Sequence, residues 1–192
     1  MYKALIFDFF GVFCPDISFD WLKQSVPDYQ AILPEYKALC AKSDYGLISR
    51  ADFTDGLSKL SGIPAADIAS SIQGNIIIKQ DLVSFVQQLR SSGYKIACLS
   101  NGTVEWTQKV IDDNGLTELF DQTVISGDVG VIKPSPAIYK VTLKRLGVTA
   151  SQAVFVDDRA VNTEAAEACG IKSFLFTDTQ KLIAELKAAG IS

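Results

Sequence analysis

Asp8, Ser100, Lys133, Asp157 and Asp158 are the side chains whose types and positions suit chemistry, because each stands at the end of a short apolar run or in the loop beyond one. A carboxylate can serve as nucleophile or as ligand to a hard cation, and a hydroxyl and an ammonium can hold an anion. The chain contains no histidine, which removes every Ser–His or Cys–His nucleophile pair and every His-ligated metal site. Any chemistry therefore runs on carboxylates, hydroxyls, lysine or backbone. Taken singly, none of these residues is specific. An aspartate at a strand end is usually a turn or capping residue, and Asp157-Asp158 could simply cap a following helix. Lys133 alone reads as a solvated lysine and Ser100 before Asn101-Gly102 as a turn residue.

The elements that must position them have a regular order. Lys3-Ala-Leu-Ile-Phe-Asp-Phe-Phe is almost continuously apolar and stops at Gly11, the pattern of a strand buried on both faces, with Asp8 toward its C-terminal end. Leu82, Phe85, Val86 and Leu89 recur at helical spacing between about Lys79 and Ser92, with Gly93 as C-terminal cap. A strand is expected from Tyr94 to Ser100, then a turn and a helix from about Thr103 to Asn114. The pattern continues with strands at Thr123–Ile125, Ala153–Val156 and Ile171–Phe176, and helices at Ser135–Leu146, Arg159–Cys169 and Thr179–Ala189. Strands alternating with helices of this length predict an α/β fold, a Rossmann-like parallel sheet with helices on both faces. In such sheets ligands bind beyond the carboxyl ends of the strands, where the five residues above fall. Gly127-Asp128-Val129-Gly130 lacks the Gly-Lys-Ser/Thr ending of a P-loop and is expected to be a loop before Lys133.

From about Cys14 to Ile78 the pattern is helical throughout: Trp21, Leu22, Tyr36, Leu39, Phe53, Leu57 and Leu60 are separated by Pro27, Pro34, Gly62 and Pro64. Ser49 with Asp52, and Pro64 with Asp67, mark helix starts. The domains expected are an α/β core of residues 1–13 and 79–192 and an all-helical insertion, residues 14–78, acting as a lid. Trp21 is expected in the core of that insertion. Arg50 and Lys42 are weaker candidates for contacting a substrate anion, since charges on a small helical insertion are usually solvated.

With 192 residues, 48% hydrophobic and 21% charged, the chain can bury a full core, which excludes a disordered chain or a disulfide-stapled miniprotein. The net charge of −4 and pI ≈ 4.8 supply no basic field for a nucleic-acid backbone. No apolar run approaches the roughly 18 residues that would span a bilayer, so neither nucleic acid nor membrane is expected as a partner. Cys14, Cys40, Cys98 and Cys169 show no C-x-x-C spacing, which fits a reducing, cytoplasmic setting.

Together these residues resemble the haloacid dehalogenase superfamily, over nearly the whole chain. Its first motif, D-x-D-x-[TV], stands here as Asp8-Phe9-Phe10-Gly11-Val12; the second is Ser100 followed by Asn101-Gly102; the third is Lys133 in Gly130-Val-Ile-Lys-Pro-Ser-Pro; the fourth is Val154-Phe-Val-Asp157-Asp158 with Arg159-Ala-Val-Asn162 behind it. The resemblance implies Asp8 as nucleophile toward a small-molecule phosphate ester. It implies Mg²⁺ held by Asp8, the Phe10 main-chain carbonyl and Asp158. Asp157 would orient metal-bound water or Lys133, or act as a further ligand. Lys133, Ser100, Asn101 and Gly102 would hold the phosphoryl oxygens.

One position departs from the pattern. The second aspartate of the first motif, which protonates the leaving oxygen, is Phe10, a side chain with no titratable atom. Positioned acid–base catalysis is typically worth about 10²- to 10⁴-fold, so a weak or specialised phosphatase is expected. Two alternatives stand beside it. Asp8-Phe9-Phe10-Gly11 is close to the D-x-Y-G of hydrolytic 2-haloacid dehalogenases, which need no leaving-group acid but lack the Asp-Asp pair. A non-catalytic phosphate-binding or interaction protein is the other. Neither the specific substrate nor the oligomeric state follows from the sequence.

Overall fold

Every residue of the first strand, β1 (Ala4–Phe7), is buried, because it runs through the middle of a sheet covered on both faces. The computed structural model describes residues 1–192. In it β1 lies between β2 (Lys95–Ser100) and β4 (Ala153–Asp157), with β3 (Gln122–Ile125) and β5 (Lys172–Leu175) at the edges. The order is β3-β2-β1-β4-β5 and all pairs are parallel, so that Ile6 stands opposite Ala97 of β2 and Phe155 of β4. Successive side chains point to opposite faces. Leu5 and Phe7 join one apolar cluster, and Ala4 and Ile6 the other.

Helices fill both faces. α1 (Ile17–Ser25), α2 (Tyr29–Asp44), α3 (Arg50–Ser61) and α4 (Ala65–Gly74) come first, all between β1 and α5 (Gln80–Ser91). α6 (Val104–Asp113), α7 (Ser126–Val129), α8 (Pro136–Leu146), α9 (Ala160–Ala168) and α10 (Thr179–Ala188) follow the later strands. The apolar spacing seen in the sequence buries Leu82, Phe85, Val86 and Leu89 of α5 in the first cluster. The second cluster takes Ile138, Tyr139 and Leu146 of α8 and Ala166 of α9. No helix is long and apolar enough to cross a membrane.

Helices α1 to α4 form the expected cap around a third cluster of their own: Ile17, Trp21, Leu22, Tyr36, Phe53, Leu57, Ile68 and Ile72. Ser49 caps α3 as anticipated. Its hydroxyl accepts the Asp52 N–H at 3.1 Å, and Asp52 Oδ2 accepts the Ser49 N–H at 3.0 Å, satisfying two donors at the helix start.

Two local expectations are corrected. Pro34 does not separate helices but lies inside α2. It is exposed, so a carbonyl left without its helical partner faces water, while Tyr36 and its neighbours keep the helix on the cap cluster. The segment Gly127–Gly130 is not a loop: Gly127 to Val129 belong to α7, a single helical turn that Gly130 caps with its N–H on the Ser126 carbonyl at 2.8 Å. Gly130 takes φ +70° there, a conformation that costs glycine little.

Candidate active site

The strand order reverses between β1 and β4, and the crevice beyond the carboxyl ends of strands at such a reversal is where open α/β sheets bind ligands. Asp8 is the first residue past β1. Its N–H extends the ladder to the Val156 carbonyl at 2.8 Å, and its Oδ1 accepts the Phe9 N–H at 2.7 Å. The chain then folds into a tight turn in which the Phe13 N–H reaches the Phe9 carbonyl at 2.8 Å and the Gly11 N–H reaches the Cys14 carbonyl at 2.6 Å. Gly11 has φ +96°, and a Cβ built on it would overlap the Asp158 carboxylate. Only glycine lets these two stretches approach so closely.

Asp157 ends β4 and Asp158 follows it. Lys133, 3% exposed, places its Nζ 2.7 Å from Asp8 Oδ1 and 2.7 Å from Asp157 Oδ2. The other oxygen of Asp157 accepts the Arg159 N–H at 2.9 Å and the Asn162 side-chain amide at 2.9 Å. Asp157 therefore both starts α9 and holds Lys133. Its oxygens are engaged by Lys133, Arg159 and Asn162, which fixes where the ammonium stands. Asn162 is fixed in turn, its carbonyl accepting the Tyr139 hydroxyl at 2.8 Å.

Ser100, at the end of β2, is buried at 1% exposure, and its only protein contact as a donor is the Asn101 carbonyl at 3.3 Å. The Asn101 side-chain amide is engaged by the backbone of Lys133. It accepts the Lys133 N–H at 2.9 Å and donates to the Lys133 carbonyl at 3.1 Å. The Gly102 N–H, expected to face phosphoryl oxygens, donates instead to Ser126 Oγ at 3.0 Å. Ser126 also donates to the carbonyl of Asp44 and so ties the strand-end loop to the last turn of α2 in the cap. Arg159 is exposed. Arg50 lies away from this cluster, over the Trp106 ring, and Lys42 is exposed.

Burial pushes the Asp8 carboxyl up to about 8. Lys133 draws it down, and Asp157 and Asp158 push it further up. Lys133 is itself raised, because Asp8 and Asp157 outweigh the burial that would lower it. Burial and Asp157 also raise Asp158. One ammonium thus faces three carboxylates, an arrangement that favours either a bound proton or a cation.

The oxygens of Asp8, Asp157 and Asp158 lie within 4.8 Å of one another. Asp158 Oδ1 is buried and has no hydrogen-bond partner, and no hydrogen bond engages the Phe10 carbonyl. Clustered carboxylate oxygens, one of them without a partner, are donors of the all-oxygen kind that hard divalent cations such as Mg²⁺ prefer. The residues present fit that ion.

Gly11 and Asn162 stand in the sequence motifs but were given no role there, and Ser126 was not singled out from sequence. The rule that found Ser100, a hydroxyl at a strand end, applies equally to Ser126 after β3. Asn162 sits on the first turn of the helix behind the acidic pair. Asp44 carries no sequence signal and is brought to the site only by the docking of α2.

A five-stranded doubly wound parallel sheet with a buried Asp–Lys–Asp constellation at its reversal and a helical insertion behind the first strand defines a Rossmann-like hydrolase with a cap. The chain belongs to the haloacid dehalogenase-like hydrolases, whose family model matches residues 2–170. It is 34% identical over 98 residues to (S)-2-haloacid dehalogenase 2 of Pseudomonas sp. (strain CBS-3), a match spanning 51% of this chain but only 43% of that protein. It is 26% identical over 194 residues to a sesquiterpene phosphatase of Aspergillus oryzae, spanning 97% and 95% of the two chains. The crystal structure of a HAD family enzyme from Bacteroides thetaiotaomicron superposes with a TM-score of 0.79 at 21% identity, covering 95% of this chain and 98% of that one. That enzyme has also been crystallised with magnesium and inorganic phosphate.

Proposed function

We propose that the protein is a Mg²⁺-dependent phosphatase acting on a small phosphorylated metabolite through an aspartyl phosphate formed on Asp8. The observation that carries this reading is the single ammonium of Lys133 shared between Asp8 and Asp157, with the unpartnered Asp158 Oδ1 beside them. A 2-haloacid presents less charge to the nucleophile than a phosphate ester and has less need of a cation, and so of a further carboxylate to hold one.

Asp8 Oδ1 is occupied by Lys133 and by the Phe9 N–H, which leaves Oδ2 to attack phosphorus in line. Lys133 sets its positive charge where the phosphoryl oxygens approach, and Ser100 offers its hydroxyl from the neighbouring strand end. Asp8, Asp158 and the Phe10 carbonyl would hold Mg²⁺, which when bound neutralises charge between the two anions. Water then hydrolyses the acyl phosphate and regenerates Asp8. Phe10 donates no proton to the leaving oxygen, so substrates with good leaving groups react best.

A panel of phosphate esters assayed with Mg²⁺ and with chelator tests the reading. Turnover is expected with Mg²⁺, to vanish with chelator, and to fall by about 10³-fold or more in Asp8→Asn. Metal-independent phosphate release, or wild-type activity in Asp8→Asn, refutes it.

The match to a Pseudomonas haloacid dehalogenase, together with an aromatic residue at Phe10, favours a second reading, a hydrolytic 2-haloacid dehalogenase. Halide release from (S)-2-chloropropionate without added metal distinguishes it.

A further inference from the structure

Arg50 breaks a local rule. It occupies the first turn of α3, where the helix dipole disfavours a cation, so helix stability does not explain its place. Its guanidinium lies 4.1 Å above the centroid of the Trp106 ring and 5.5 Å from that of Phe53. Its Nη2 is buried with no hydrogen-bond partner. Burial works against its charge and Glu105 only partly offsets this. A guanidinium stays protonated in a protein, so an orphaned Nη2 costs stability until an acceptor reaches it.

The group lines a cavity of about 380 Å³ between the cap and the core, at the lower end of the range for small-molecule sites. α3 contributes Arg50 and Thr54, α4 contributes Ala65 and Ala69, and α6 contributes Trp106 and Lys109. Asp8, Ser100, Lys133, Asp157 and Asp158 do not line it, so it is separate from the nucleophile. The charges at the lining cancel: Arg50 and Lys109 against Asp55 and Glu105. Lys109 is already paired with Asp113 at 2.7 Å. That balance opposes a dianionic phosphate but accommodates one negative charge placed on the guanidinium. The alanines and Trp106 offer apolar walls to whatever carries the charge.

We propose that this cavity is a second binding site, for a small organic monocarboxylate that accepts from Arg50 and packs its apolar body between α4 and Trp106. Because its walls come from both cap and core, an occupant bridges the two.

Calorimetric titration of the full chain with sodium benzoate tests this, with benzamide as the uncharged isostere. Benzoate is expected to bind saturably and benzamide about 10-fold more weakly or worse. Arg50→Gln removes the charge. Ala69→Trp fills the cavity from an exposed position and leaves Arg50 intact. Each is expected to lower benzoate affinity about 10-fold, while Asp8→Asn leaves it unchanged. Absence of saturable benzoate binding at millimolar concentration, equal affinity for benzamide, unaltered binding in Arg50→Gln or in Ala69→Trp, or loss of binding in Asp8→Asn overturns the proposal. Failure of the phosphatase assay has no bearing on it.

Discussion

Asn101 holds Lys133 with both ends of one side-chain amide, accepting its backbone N–H at 2.9 Å and donating to its carbonyl at 3.1 Å. The strand end that carries Ser100 is thereby locked to the loop that carries the buried lysine. The ammonium then needs only its own side chain to reach Asp8 and Asp157.

Replacement of Asn101 by Ala cuts that clasp without removing any group that meets the substrate. A misplacement of about 1 Å at a reacting centre can cost about 10²-fold. Asn101→Ala is expected to lower kcat by that order with a smaller change in KM, measured in a steady-state phosphatase assay. A rise in KM alone would place Asn101 on the substrate instead.

Gly11→Ala should be disproportionately harmful for one methyl group. The backbone there is left-handed at φ +96°, and the new Cβ collides with the Asp158 carboxylate, a candidate metal ligand. Both activity and Mg²⁺ affinity are expected to fall, with a thermal transition lowered by about 1–3 kcal/mol in stability. Titration of Mg²⁺ against thermal stability reads both effects.

Phe10→Asp restores a carboxyl where a leaving-group acid would stand. Phe10 is only partly buried and meets Phe9 edge to face at 5.1 Å, so the change is tolerable to the turn. Phosphatase turnover is expected to rise, within the roughly 10²- to 10⁴-fold that positioned acid–base catalysis supplies, and most for alkyl phosphates with poor leaving groups. No gain in folded protein counts against Phe10 as a brake on the proposed phosphatase reaction.

Asp44 gives the stability a pH dependence. Burial, then Asp16, raises its carboxyl to about 6 from 3.8, with Lys133 and Arg159 drawing it down. The folded state thus holds its proton more tightly than the unfolded chain. This favours folding fully below about pH 4 and the advantage is lost as pH rises through about 6, by at most about 3 kcal/mol. Asp44→Asn should flatten that part of the profile in denaturant melts between pH 4 and 7. An unchanged slope would assign it to other groups.

The α/β class, the helical cap and the places of Asp8, Ser100, Lys133, Asp157 and Asp158 at loop ends were all legible in the sequence. They follow from apolar runs of strand length and from helical spacing, which are local properties of the chain. Trp21 in the cap core and the Ser49–Asp52 capping box were legible for the same reason. Pro34 inside α2 and the helical turn at Ser126–Val129 were not, since in both places tertiary support outweighs local preference.

The tertiary structure alone decided how the charged groups share one another. Lys133 meets Asp157 across 24 residues and Asp8 across 125, the Asn101 amide clasps the Lys133 backbone, and Asp158 leaves room at Gly11 for no Cβ. Arg50 likewise stands over the Trp106 ring instead of beside the nucleophile. Sequence pattern reports which residue types end which elements, because hydrophobic burial imposes a period. Which oxygen accepts from which nitrogen depends on the sheet order β3-β2-β1-β4-β5 and on how the cap docks, and no period in the chain encodes either.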